Sequence, residues 1–342
     1  GGAGGPPPPP PAAAKLPASD DITSTMAAPR SHPNFLAGQY LNRLAEWRKD
    51  EARLQAALAH PRRLLVPVWR TRNLVVHTES TITARFLHDR SEWIESRRSE
   101  LIFLGEFHEC PCFALELDPT VEPAIEPPAA FRDLRAIASE LPPEEAGVLA
   151  YARAMVTWRE RHRFCGRCGA PTVPVQGGHV LKCSDPSCDN QQFPRIDPAI
   201  IVLIHDGERA LLGRQASWPP GRYSTIAGFV EPGESLEDAV IREAREETGV
   251  SVDAVEYHSS QPWPFPSSLM VGFLAHAATT EIQLADAELE DARWVTREEI
   301  AAGEVGLPFP HSISFRLIEE WYDAKAERPM REEARLKLWG RK

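Results

Sequence analysis

The sequence predicts an α+β protein in three parts: an N-terminal α+β domain, a short cysteine-bearing ribbon, and a C-terminal domain of strands around one amphipathic helix. Three observations carry this. Apolar runs of strand length precede a long helical stretch in residues 35–160. Four of the six cysteines fall between positions 165 and 188, a window that points to metal rather than to a spread disulfide framework. Beyond residue 196, strand patterns surround a capped helix with its acids gathered on one face.

At 342 residues the chain has room for two or three small domains. Its net charge of -11 argues against broad, nonspecific nucleic-acid binding, which needs basic surface. No apolar run reaches the roughly 18 residues of a membrane span. The first 25 residues lack the apolar core of a secretory signal. The expectation is a cytoplasmic protein with no membrane partner.

Residues 1–34 read as a disordered leader, because a segment that opens on glycine, proline and alanine alone cannot bury enough surface to offset its ordering entropy. The chain begins at Gly1, and Met26 is a plausible native start, so part of the leader reads as processed or added. Residues 35–160 form the N-terminal domain. Leu64-Leu65-Val66-Pro67-Val68-Trp69, Leu101-Ile102-Phe103-Leu104 and residues 112–117 read as strands. Pro142-Pro143-Glu144-Glu145 opens a helix that runs to about Arg161, with proline and acids in its first turn. Cys110 and Cys112 read as plain thiols. Nothing here looks catalytic, and the domain reads as a packing or dimerisation unit. No internal repeat is visible.

The ribbon occupies residues 161–195. Cys165, Cys168, Cys183 and Cys188 follow C-x2-C-x14-C-x4-C, which suits a tetrahedral four-thiolate Zn²⁺ site. Two disulfides or free thiols are the alternative, disfavoured in a cytosolic protein. Four thiolates leave no open position, so the zinc is structural.

Residues 196–325 form the C-terminal domain, with 326–342 as a tail. Ile200-Ile201-Val202-Leu203-Ile204 is a buried strand, Leu211-Leu212 belongs to the next one after the Asp206-Gly207 turn, and residues 269–276 are another. Residues 228–250, GFVEPGESLEDAVIREAREETGV, read as a loop and a capped helix. Ser235 is the N-cap with Asp238 three residues on, and Gly249 ends the helix. Glu243, Glu246 and Glu247 stand at i, i+3, i+4, so their carboxylates share one face. Like charges so placed weaken a helix, and a hard cation such as Mg²⁺ or Mn²⁺ offsets the repulsion. Arg242 can pair with Glu246 at i+4. The plain alternative is a solvated acidic face. Residues 260–266, SQPWPFP, read as a rigid, π-rich wall suited to stacking a flat ring, or as a proline-rich surface loop.

Gly228, Glu234, Arg242, Glu243, Ala244, Glu246, Glu247, Gly249 and Val250 match G-x5-E-x7-R-E-U-x-E-E-x-G-U, where U is aliphatic, at every position. This stretch resembles the Nudix box. The SQPWPFP-x-S element, ending at Ser268, and the order of the parts resemble the NADH pyrophosphatases, a Nudix family that includes NAD-cap-removing enzymes. The resemblance covers about residues 60–322. It implies a Nudix α/β/α sandwich and hydrolysis of the pyrophosphate bond of NADH or NAD⁺ to nicotinamide mononucleotide and AMP. Removal of an NAD cap from RNA is the same cleavage on a longer substrate. By position it implies metal binding by Glu243, Glu246, Glu247, the distant Glu288 and the Ala227 carbonyl. Glu290 and Asp291 are neighbours that could be confused with Glu288. Glu246 is the first choice for orienting the attacking water. Phe193, Ile201, Phe229, Gln261, Trp263, Met270 and Ser314 fall at substrate-lining positions, and a homodimer sharing its sites is expected. The x4 spacing before Cys188 is longer than in some members and bears on the ribbon's geometry. Rival readings are a Nudix hydrolase of ADP-ribose or dinucleoside polyphosphates, a non-catalytic nucleotide sensor, and a ribbon that binds RNA.

Overall fold

A computed structural model describes residues 33–88, 100–284 and 288–339. The described residues from Asn34 onward belong to one compact unit. The expected leader lies outside the described residues except for Pro33 and Asn34. Asn34 does not belong to a leader: it is buried, its amide donates to Ser259 Oγ (2.9 Å) and the Ser260 carbonyl (2.7 Å), and its oxygen accepts from Arg316 (2.8 Å).

The first half starts with helix α1 (Glu51–Ala59), capped by Asp50, whose carboxylate accepts from the Arg53 N–H. Six strands follow: β1 (Leu64–Trp69), β2 (Arg72–His77), β3 (Ile82–Ala84), β4 (Ile102–Phe107), β5 (Cys110–Glu116) and β6 (Ala129–Arg132). Helices α2 (Leu134–Ile137) and α3 (Pro143–Arg161) close it. The sheet order is β3-β2-β1-β5-β4, with β6 also on β2. β1 runs parallel to β5, Leu64 opposite Cys112, and antiparallel to β2. Alternation along β1 splits its burial between two faces. Val66 and Val68 pack with Leu149, Ala152 and Met155 of α3, while Leu65 packs with Ala57 and Leu58 of α1.

The ribbon is β7 (Thr172–Val175), β8 (Val180–Cys183) and β9 (Gln191–Gln192). Its β7–β8 turn leans on the first sheet: Phe103 N–H donates to the Gly177 carbonyl at 2.9 Å, and His179 Nε2 bonds the Phe103 carbonyl at 2.7 Å.

The second half runs β10 (Asp197–His205), β11 (Arg209–Arg214), β12 (Ile226–Phe229), α4 (Leu236–Thr248), β13 (Val252–Trp263), β14 (Ser268–Ala277), β15 (Asp291–Thr296), α5 (Arg297–Ala301), β16 (Gly306–Leu307), α6 (Ile313–Asp323) and β17 (Lys337–Leu338). The sheet order is β13-β14-β10-β11-β15, with β12 also on β10. β10 is parallel to β14, from Asp197 opposite Ser268 to His205 opposite His276. Ile200, Val202 and Ile204 pack against Ala239, Val240 and Ala244 of α4, whereas Leu203 packs against Phe315 and Ile318 of α6. This is an α/β/α sandwich.

The two halves follow one path. Each has a strand, an antiparallel partner, and a return strand that bridges both. Leu65 and Leu87 exchange backbone hydrogen bonds (2.8 and 3.0 Å) as Gly213 and Ser224 do (both 2.9 Å). Next come an edge strand, a strand parallel to the first, a strand on the outer side of the second, a short helix and a long helix. The expectation of no internal repeat is thus corrected: the fold repeats although the sequence does not. The tail is corrected too. Met330 is fully buried, β17 pairs with β16, and Trp339 Nε1 donates to the Gly306 carbonyl at 2.8 Å.

Candidate active site

The loop and helix of residues 228–250 fold as their local chemistry directs. Ser235 Oγ accepts from the Asp238 N–H and the Asp238 carboxylate accepts from the Ser235 N–H, both at 3.1 Å. Gly249 closes the helix with φ 73°. Ala239, Val240 and Ala244 anchor α4 to the sheet, and this fixes where the glutamates point.

Arg242 organises them. Its Nε and Nη2 clamp Glu234 at 2.6 and 3.0 Å, a bidentate pairing that ties loop to helix. Its Nη1 donates to Glu243 (2.8 Å) and Glu246 (3.0 Å), and its Nη2 also reaches the Phe229 carbonyl (2.9 Å). The hydrogen bonds from Arg242 hold Glu234 below the usual carboxylate range, and those to Glu234 first of all raise the Arg242 guanidinium. Glu243 shifts the other way: burial raises it, Arg242 offsets part of this, and the Glu246 and Glu288 carboxylates push it further up.

The glutamates are not equivalent. Glu243 and Glu247 are buried against the sheet and Glu246 is exposed. Gly228 makes room for Glu243, since a Cβ there would lie 1.8 Å from its carboxylate oxygen. Glu288 is exposed, near enough to Glu243 to repel it. Its two acidic neighbours have other work: Glu290 pairs with Arg214, and Asp291 accepts from the Tyr223 hydroxyl. These two contacts, which hold the Glu288 segment on β11, have no sequence motif and were not foreseen.

The strand register sets the Ala227–Ile201 pair beside the Phe229–Ala199–Met270 row. Ala227 and Phe229 are exposed, Met270 is half-buried, and Ile201 lies in the core on the α6 side. Phe193 is exposed and has no ring neighbour among the described residues. Two of the residues expected at lining positions serve as struts in the fold. Gln261 is buried, with Nε2 donating to the Phe35 and His311 carbonyls (3.1 and 2.9 Å) and Oε1 accepting from Ile313 N–H (2.9 Å). Ser314 Oγ is engaged by Ser224 Oγ, Thr225 Oγ1 and Thr225 N–H at 2.8, 2.8 and 3.2 Å. The 260–266 segment is likewise a joint between the halves more than a free wall. Phe265 packs on the first half's core, Arg153 Nε donates to the Pro264 carbonyl at 3.1 Å, and half-buried Trp263 meets Phe265 edge-on at 5.2 Å.

The ribbon cysteines form a tight cluster, with all four sulfurs within 4.8 Å of one another. Cys165–Cys188 and Cys168–Cys183 sulfurs are 3.9 and 3.4 Å apart, near the ~3.8 Å edge of a tetrahedron with Zn–S of ~2.3 Å. Backbone N–H groups of Arg167 and Asp185 point at Cys165 and Cys183 (both 3.4 Å), and Asn190 Nδ2 lies 3.2 Å from Cys165. Such donors stabilise thiolates. The x4 spacing therefore does not spoil the cage. On the glutamate face, the hard oxygens of buried Glu243 and Glu247, exposed Glu246 and nearby Glu288 suit Mg²⁺ or Mn²⁺.

Comparison with known proteins finds a relative for each part of the chain. Residues 195–314 match the NUDIX domain, 62–158 an NADH pyrophosphatase-like rudimentary NUDIX domain, and 160–193 the NADH pyrophosphatase zinc ribbon domain. The glutamate helix on this sandwich thus defines a Nudix protein. The chain is 40% identical over 286 residues to the NAD-capped RNA hydrolase NudC of Stutzerimonas stutzeri, covering 81% of this chain and 97% of that one. It is 42% identical over 219 residues to NudC of Mycobacterium bovis, 60% of this chain and 69% of that one. It is also 46% identical over 197 residues to the NAD-capped RNA hydrolase NUDT12 of Macaca fascicularis, 53% of this chain but only 43% of the relative's length. The chain belongs to the NADH pyrophosphatase (NudC) family of Nudix proteins. Its first half is a second, rudimentary Nudix domain, which accounts for the repeated strand path.

Proposed function

We infer that this protein hydrolyses the pyrophosphate bond of NADH or NAD⁺, giving nicotinamide mononucleotide and AMP, and removes the same nucleotide as a cap from RNA. The observation that carries this is the Arg242-ordered glutamate face in a chain alike to a NAD-capped RNA hydrolase over 97% of that relative's length. Glu243, Glu246, Glu247, Glu288 and the Ala227 carbonyl would hold Mg²⁺ or Mn²⁺. Such ions bridge phosphate oxygens and make bound water a stronger nucleophile.

The chain's own groups do the rest. Arg242 fixes the directions of Glu243 and Glu246 before substrate arrives. Glu246, the exposed member, accepts a proton from the attacking water or orients it. Phe229 offers a free ring face for stacking. The exposed rings of Phe193 and Phe229 fit a site shared by two copies, so we read the protein as a homodimer. Four cysteines gathered for a metal rather than paired in disulfides suit a cytoplasmic location; among the described residues no helix is long and apolar enough to cross a membrane.

The test is product analysis. NADH with Mg²⁺ or Mn²⁺ yields AMP and reduced nicotinamide mononucleotide, and Glu246→Gln forms both at least about a hundredfold more slowly. Cleavage of ADP-ribose in place of NADH would keep the Nudix chemistry and discard the substrate. Sedimentation at micromolar concentration reports the dimer.

A further inference from the structure

A cavity of about 480 Å³ lies between the two halves, where α3, the ribbon turn and residues 262–264 meet. Small-molecule sites span about 300–1,000 Å³, so it is large enough for a ligand. Its wall gathers Arg43, Arg48, Tyr151, Trp158, His179 and Trp263 and includes no carboxylate. None of the active-site glutamates borders it.

Among the described residues that line the cavity, no acid balances the arginines. Arg43 lies over the Tyr151 ring, 4.2 Å from its centroid, and neither Arg43 nor Arg48 has an ion-pair partner among the described residues. The buried Nε of Arg48 and the indole N–H of Trp158 also lack hydrogen-bond partners among them. Arg195 borders the cavity too, but Asp197 pairs with it at 2.7 Å. Burial, with Arg48 and Arg43 nearby, pushes His179 down to about 4, so the imidazole is neutral and adds no charge at pH 7.

Two guanidinium groups without an acid call for an anion. Three aromatic walls call for a flat, weakly polar body. A nucleoside monophosphate unit has both, one phosphate and one base. We propose that this cavity is a second nucleotide site, which binds a nucleoside 5′-monophosphate unit apart from the glutamate helix. The unit is either a free nucleotide, of the class the hydrolysis releases, or a nucleotide of an RNA chain. Only the RNA source rests on the cap-removal reading.

The experiment is calorimetric titration of the full-length, zinc-loaded protein with AMP, without added Mg²⁺ or Mn²⁺. Wild type and Glu246→Gln bind one AMP per chain with equal affinity. Arg43→Ala/Arg48→Ala binds at least tenfold more weakly, with unchanged zinc content and melting temperature. Arg48→Lys keeps the charge, tolerates any packing demand and retains binding. Absence of AMP binding to wild type, or equal binding by the double alanine variant, overturns the site. The source is read from KM for NAD-capped RNAs of one and ten nucleotides. A lower KM for the longer RNA that vanishes in Arg43→Ala/Arg48→Ala marks an RNA nucleotide as the occupant. AMP binding without that length dependence marks a free nucleotide.

Discussion

The two halves share a strand path but only the second carries the R-E-x2-E-E glutamate run, which lies in a single connection. In the second half, residues 230–251 link the return strand to the edge strand and hold the glutamate helix. In the first half, the corresponding residues 88–101 form a shorter stretch with Glu92, Glu95 and Glu100 but no R-E-x2-E-E run. The sheets supply rigidity alike, and the function lives in what is grafted onto one of them. The long helix of the first half serves as a brace instead: Glu145 accepts the Ala84 N–H at 2.5 Å, and Arg153 grips Pro264.

The sharpest way to break this comparison is to remove one carboxylate from each half. Glu246→Gln lowers kcat for NADH by about 10²- to 10³-fold, several kcal/mol of barrier, with little change in melting temperature. Glu145→Gln does the reverse, lowering the melting temperature and leaving kcat/KM intact. An equal loss of kcat in both would end the division of labour. A smaller effect separates two glycines. Gly228→Ala drives a methyl into Glu243 and costs about 10²-fold in kcat. Gly178→Ala, at φ +83° and 3.1 Å from Ile102 Cα, costs roughly 1–3 kcal/mol of stability and no activity.

Acid affects the joint between the ribbon and the first sheet through His179. The folded state keeps this imidazole neutral down to about 4, whereas the unfolded chain takes up the proton near ~6.5. Between those values the unfolded state binds more protons, so stability is present above the upper one and falls as pH drops toward the lower. The loss at pH 5 is about 2 kcal/mol. Denaturant titrations at pH 7 and 5 read it, and His179→Gln flattens the difference. The smallest effect concerns Arg214→Met, which frees Glu290 and loosens the Glu288 segment. The Mg²⁺ concentration for half-maximal rate rises about tenfold, at unchanged kcat under saturating metal.

The glutamate helix and the ribbon were legible because their chemistry demands fixed spacings: i, i+3, i+4 on one side and paired cysteines on the other. The repeat was not. Its hairpins turn on Arg70-Thr71 and His108-Glu109, all four at positive φ without a glycine, so β2 (Arg72–His77) carried no turn signal of the usual kind. Shared topology leaves no side-chain period to find. Gln261 shows a different limit. Resemblance placed it at a substrate position, and the fold adds that its amide bonds the backbone of Phe35, His311 and Ile313, residues far from it in sequence.

Strand β4 is an outermost strand of the first sheet, and an outermost strand offers unpaired backbone groups to any other chain. Here Gly177 of the ribbon turn takes the Phe103 N–H, and Asn42 exchanges two hydrogen bonds with Glu106 (3.0 and 2.8 Å). Metal held by the ribbon cysteines would thus guard solubility at a distance. Stripping the metal loosens the turn that covers Phe103, and the exposed strand, apolar on both faces, becomes a template for self-association, visible as light scattering before activity has decayed.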